Sequence, residues 1–202
     1  MIPDQIQKTG TSSTNVNKLY RDSICLEGRE RLTKIIASTG LFFGGVLGMA
    51  GSFAPSPSLR SLAWCLDGIG LIIATALLVV YYFRKGDDVT ASAFLIFTIG
   101  EALILSSTSL DLNANVSSFG AGVGLWAASL FLISFQKLFP IVVRITGFIA
   151  AVLFAASSIQ IFTGGALNAL AKPFPFYAYP FFAATIFGWA WKLLSESSPR
   201  SN

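Results

Sequence analysis

The sequence predicts an all-α, polytopic integral membrane protein with six transmembrane helices and both termini in the cytoplasm. Three observations carry this reading. Of 202 residues, 53% are hydrophobic and 12% charged, and the mean hydropathy is +0.67, whereas a water-soluble domain carries about 25% charged residues. The apolar residues fall into blocks of about 20, the length that crosses a bilayer. Lys and Arg concentrate on alternate breaks between blocks, as they do on cytoplasmic loops.

Residues 1–34 are polar and read as a cytoplasmic tail, without the apolar core and small-residue cleavage site of a secretory signal. Within the tail, Val16, Leu19, Tyr20, Ile24 and Ile35 recur near helical spacing among Lys18, Arg21, Arg29 and Arg31. That is the pattern of an interfacial amphipathic helix on anionic headgroups. The first span, Ile35 to Ala54, places Gly40, Gly44 and Gly48 on one face, a ridge that admits close approach of a second helix. "APSPSLR" (54–60) ends it.

The second span, Ser61 to Phe83, closes on Tyr81 and Tyr82, rings favoured at the membrane interface, and is followed by "RKGDD" (84–88). The third runs from Thr90 to Leu110, before "DLNANVSS" (111–118). The fourth, Ser118 to Phe139, and the fifth, Ile141 to Thr163, form a tight hairpin across "QKLFP" (136–140). Both carry small-residue ridges, Gly120 and Gly124 in one and Gly147 in the other. After "GGALNALAKP" (164–173), the sixth span, Phe174 to Leu194, contains Pro180, which is expected to kink it, and ends on Trp189 and Trp191. Residues 35–194 are thus one membrane domain, and 195–202 a second cytoplasmic tail.

The tail, the second–third loop, the fourth–fifth hairpin and the C-terminal end hold nearly all the Lys and Arg; the alternate loops hold only Arg60 and Lys172. The net charge of +4 is therefore a positive-inside signature, with no nucleic-acid partner. The expected partners are the lipid bilayer and, through the glycine ridges, a second copy or another membrane protein; a plasma or inner membrane is the expected location. Arg144, near its span end, is expected to snorkel to the interface. Cys25 and Cys65 fall on opposite sides, so no disulfide is expected.

The chain has no histidine, which removes His-ligated haem, His-based zinc and Ser-His hydrolysis from the candidates. There is no phosphate-binding glycine loop and no CxxC pair, so neither catalysis nor a cofactor is expected. What remains is acidic. Glu101 stands in "FTIGEALILSS" (97–107), about 13 Å below the outer end of the third span, and Asp67 about 9 Å below the same surface in the second. Ionisable groups inside spans mark function by default. Two carboxyls at similar depth with no basic residue beside them do not both ionise, and a proton they share can exchange for a cation. Thr98 and Thr108 are the expected hydroxyl partners, and Trp64, Gln160, Tyr177 and Tyr179 further liners. The first reading is an accessory or partner-binding membrane protein in which these groups serve assembly. The alternative is a proton- or cation-coupled small-solute carrier or channel built on Glu101 and Asp67.

Overall fold

In lipid every backbone N–H and C=O has to be satisfied within its own segment, which leaves the helix as the conformation for isolated apolar blocks. The structure, a computed structural model, describes residues 10–109, 115–164 and 174–197; the side chains of 10–25, 109 and 174–176 lie outside the description. The side chains of Val16, Lys18, Leu19, Tyr20, Arg21, Ile24 and Cys25, and the whole of Lys172 and Arg200, accordingly fall outside it, whereas Arg29, Arg31 and Ile35 are described and exposed. The described residues form α1 (Gly10–Ser52), α2 (Pro57–Arg84), α3 (Asp88–Ser109), α4 (Val116–Phe135), α5 (Ile141–Phe162) and α6 (Phe174–Ser197). Helices α1 to α5 are long and apolar enough to cross a membrane. The sixth draws its apolar character from aromatic rings and ends on Lys192 and Glu196.

Local chemistry sets the helix ends. Ser56 accepts the Leu59 N–H at 3.3 Å and Pro57 opens α2. Gly86, at φ +74°, turns the chain between α2 and α3, and the Asp87 carboxylate accepts the Thr90 N–H at 3.0 Å. The α4 helix stops at Phe135, four residues before the predicted limit, where Gln136 turns to an extended conformation as the C-cap. Arg144 does more than reach for the interface: its Nε donates to the Ser134 carbonyl at 2.8 Å and its Nη2 to that of Phe135 at 3.4 Å, capping α4 from α5. No break separates the polar tail from the first span, and α1 is one helix of 43 residues.

Each helix packs against its neighbours in sequence, and α6 returns to α1, so the six form a closed antiparallel ring. Glycines set the close approaches. A Cβ at Gly40 would lie 2.9 Å from the Gly70 carbonyl of α2, one at Gly120 2.9 Å from Ile161 of α5, and one at Gly124 3.0 Å from the Ser158 hydroxyl of α5. Gly147 sits against Ser134 of α4 and Thr185 of α6. These ridges are consumed inside the ring. Buried hydroxyls add cross-helix bonds, Ser129 to the Ala93 carbonyl and Ser158 to that of Gly120, both at 2.8 Å.

The middle of the ring is filled by aromatic side chains. Trp126 of α4 lies 4.7 Å from Phe182 of α6 between ring centroids, Phe97 of α3 lies 5.8 Å from Phe182, and Phe94 lies 5.2 Å from Trp189. The outside is apolar as well: Phe42, Leu66, Ile73, Ile99, Val142 and Ile159 are exposed. Apolar surface on this scale is that of a membrane-embedded protein.

At the face where α2 and α6 end, the terminal face, an ion-pair network joins α1, α6 and the residue that follows α2. Glu30 of α1 meets Lys34 at 3.3 Å and Lys85 at 2.9 Å, and Glu196 of α6 meets Lys34 at 3.7 Å and Lys192 at 2.9 Å. The opposite, far face has no such network among the described residues.

Candidate functional site

The site lies between the aromatic filling and the far face. On α3, Glu101, Ile104, Leu105 and Thr108 follow at i, i+3, i+4 and i+7, the spacing of one helical stripe. On α2, Trp64 and Asp67 are three apart on the facing surface. These side chains, with Phe119 and Trp126 of α4 and Tyr179 of α6, enclose a chamber of about 30 Å3. That is room for a water molecule or a small ion.

Glycine makes the space for both carboxyl groups. A Cβ at Gly68 would stand 3.1 Å from Glu101 Oε1, so the α2 backbone opposite Glu101 has to be bare. A Cβ at Gly48 would stand 2.6 Å from Asp67 Oδ2, and one at Gly44 3.2 Å from Asp67 Oδ1. The α1 ridge therefore accommodates the Asp67 carboxyl as well as packing against α2. Two smaller voids of about 10 and 20 Å3 adjoin, and Tyr179 lines all three.

The buried polar atoms here lack the partners expected of structural groups. Glu101 is 4% exposed, and its Oε2, Asp67 Oδ1 and Trp126 Nε1 have no hydrogen-bond partner among the described residues. Trp126 lines the chamber together with Glu101, but its indole N–H makes no hydrogen bond to the carboxyl. Asp67, Glu101 and Tyr179 are within electrostatic reach of one another. None of the described residues that line the chamber is basic. An unpaired buried charge costs several kcal/mol, so the chamber does not hold two bare anions.

Toward the far face the chamber adjoins a vestibule of about 190 Å3 lined by Pro57, Arg60, Ser61, Trp64, Cys65, Leu105 and Thr108. Trp64, Leu105 and Thr108 border both spaces. Trp64 is pinned between them, its Nε1 donating to the Gly48 carbonyl at 3.2 Å and its ring against Gly51. The Arg60 guanidinium lies over that ring at 6.0 Å, with its Nε buried and unpartnered. Toward the terminal face, Phe97, Phe182 and Trp189 close the ring.

Of the candidates from sequence, Asp67, Glu101, Thr108, Trp64 and Tyr179 are brought together. Thr98 is not: its hydroxyl donates to the Phe94 carbonyl at 2.8 Å and meets Thr75 Oγ1 at 2.8 Å, joining α2 to α3 nearer the terminal face. Gln160 lines neither the chamber nor the vestibule, and Tyr177 is exposed. Trp126, Phe119 and Arg60 are additional members; Trp126 and Phe119 bear no sequence signal, because an aromatic residue within an apolar span reads the same whether it faces lipid, core or cavity. Compared with known proteins, the chain matches no family model, no curated protein and no solved structure.

Proposed function

We propose that the chain is a six-span membrane protein, with both termini cytoplasmic, that exchanges a proton for a small monovalent cation at Asp67 and Glu101 and couples this exchange to a small solute held in the vestibule. One observation carries the reading. Two carboxyl groups on adjacent helices face one small chamber with oxygen atoms unpartnered among the described residues, and none of the described residues that line it is basic. Polar groups that only join helices are hydrogen-bonded across the interface, as Ser129, Ser158 and Thr75 are.

The exchange is balanced in charge: a carboxylic acid gives up its proton to water, and the carboxylate left behind takes one monovalent cation. Asp67 Oδ1 and Glu101 Oε2 are the unpartnered ligands, with Thr108 and Tyr179 hydroxyls beside them and aromatic faces around. The vestibule, about six times larger than the chamber, suits the solute. Aromatic rings close the chamber toward the terminal face, and the vestibule borders it toward the far face. Passage requires the seal to move, and α6 supplies the means, because Pro180 interrupts its hydrogen-bond ladder next to Tyr179 while Phe182 and Trp189 of the seal ride on the same helix. The basic residues at the terminal face support placing that face in the cytoplasm.

The sealed half also supports the first reading from sequence, an accessory or partner-binding protein without flux. One experiment separates the two. Purified protein in a weakly buffered solution with a pH dye is given Li+, Na+ or K+ in turn. A proton released for each cation bound, lost in Glu101→Gln and weakened in Asp67→Asn, is expected. No release with any of the three, or equal release from Glu101→Gln, overturns the proposal.

A further inference from the structure

At the terminal face, α1 and the last turn of α2 enclose a second cleft, of about 240 Å3, between Arg29 and Glu30 on one side and Tyr81, Arg84 and Lys85 on the other. Its charges do not cancel: three cations against one carboxylate leave an excess of two positive charges, and Glu30 is already held by Lys85 and Lys34. Arg29 and Arg84 are exposed and make no ion pair or side-chain hydrogen bond among the described residues. Two guanidinium groups thus flank the cleft with donors unspent.

Position and lining identify what fits there. Arg29 lies six residues before Ile35, about 9 Å along the helix, and Arg84 directly follows the apolar part of α2. The headgroup layer is about 5–7 Å thick on each side of the hydrocarbon, so Arg84 lies at its inner edge and the Arg29 backbone about 2–4 Å beyond its outer edge, within reach of the long arginine side chain. Leu26 and Val80 give the cleft an apolar wall, and Val80 and Phe83 continue it as exposed apolar surface along α2. Planar guanidinium forks bind phosphate oxygens in pairs.

We infer that this cleft binds an anionic phospholipid, the phosphate between Arg29 and Arg84 and the acyl chains over Val80 and Phe83. The excess positive charge selects a lipid with net negative charge over a zwitterionic one. The bound lipid would join α1 to α2 at the same place as the Glu30–Lys85 ion pair. This inference is independent of any exchange at Asp67 and Glu101.

The full chain, released from nanodiscs holding equal amounts of phosphatidylglycerol and phosphatidylcholine, is read by native mass spectrometry for retained lipid. Phosphatidylglycerol is expected to prevail, and Arg29→Gln/Arg84→Gln to lower that preference about twenty-five-fold, from about fivefold for each basic group at a charged membrane surface. Neither arginine has a side-chain partner among the described residues to lose, so the double variant should keep the wild-type helical spectrum. Arg31→Gln, exposed on the same helix outside the cleft, should leave the preference unchanged. Excess glycerol 3-phosphate should not displace the lipid. Equal retention of the two lipids, an Arg31→Gln effect as large as that of the double variant, or displacement by glycerol 3-phosphate, which would mark a soluble phosphate site, overturns the inference.

Discussion

Replacing Gly122 by alanine tests whether the ring is held together by backbone contact. A Cβ there would sit 2.8 Å from the Gly100 carbonyl oxygen, 2.7 Å from Ile104 Cγ1 and 3.2 Å from the Ile104 backbone nitrogen. A comfortable carbon–oxygen contact is about 3.3–3.6 Å, so α3 and α4 would have to part by about half an ångström or more. A side chain can rotate away from a clash, but two of these three atoms are backbone. Overpacking of this kind costs about 1–3 kcal/mol, offset by up to about 1 kcal/mol from alanine's better helix propensity. The expected net loss is about 1–2 kcal/mol. Gly28 is the internal control, because a Cβ there meets nothing within 4 Å; Gly28→Ala should gain about 0.5–1 kcal/mol from propensity alone. Unfolding in detergent by graded addition of dodecyl sulfate, followed by far-ultraviolet circular dichroism, measures both. A Gly122→Ala protein as stable as the wild type would refute the α3–α4 contact as described. Since Gly100 precedes Glu101, the same substitution should also weaken cation binding at the chamber.

Trp64→Phe keeps a ring between chamber and vestibule but loses the 3.2 Å bond to the Gly48 carbonyl, and should cost about 1 kcal/mol in the same unfolding assay. Ser129→Ala removes the buried 2.8 Å bond to the Ala93 carbonyl and should cost about 0.5–1 kcal/mol, with no effect on proton release. Cys65 lines the vestibule as a free thiol; in a Cys25→Ser background it should react with a charged, membrane-impermeant thiol reagent supplied from the far face, and labelling only after denaturation would contradict an open vestibule.

Much of the fold was legible because lipid leaves the backbone few choices. Each apolar block of about 20 residues became a helix, and the charged or Pro- and Gly-bearing breaks fell between helices. The tail was harder to read, since polarity marks where a helix leaves the membrane and not where it ends; α1 runs on from Gly10 without a break. Ring closure was illegible, because periodicity shows which face of a helix is special but not which helix will meet it. Gly120 and Gly124 were found by their spacing of four and face α5, whereas Gly122, about 200° around from Gly120, serves the opposite contact with α3.

At the site, depth arithmetic along two antiparallel helices sufficed to bring Asp67 and Glu101 together. It treated Thr98 and Thr108 alike, although i+7 returns to within about 20° of Glu101 while i−3 lies about 60° away and a turn toward the terminal face. That angle is why Thr108 lines the chamber and Thr98 bonds Thr75. The role of Gly44, Gly48 and Gly68 in clearing space for carboxyl oxygens had no separate signal, since a glycine that admits a helix and one that admits a side chain look the same in one dimension.

The central claim, that Glu101 and Asp67 form an exchangeable site, is tested most directly by infrared difference spectroscopy of the protein in nanodiscs, before and after adding a small monovalent cation, with Glu101→Gln to identify the band. The account predicts that the cation removes a protonated-carboxyl band, raises a carboxylate band, and that both changes vanish in Glu101→Gln and shift in Asp67→Asn. A carboxyl spectrum that no cation alters would contradict it and leave Glu101 as part of the bundle's internal packing.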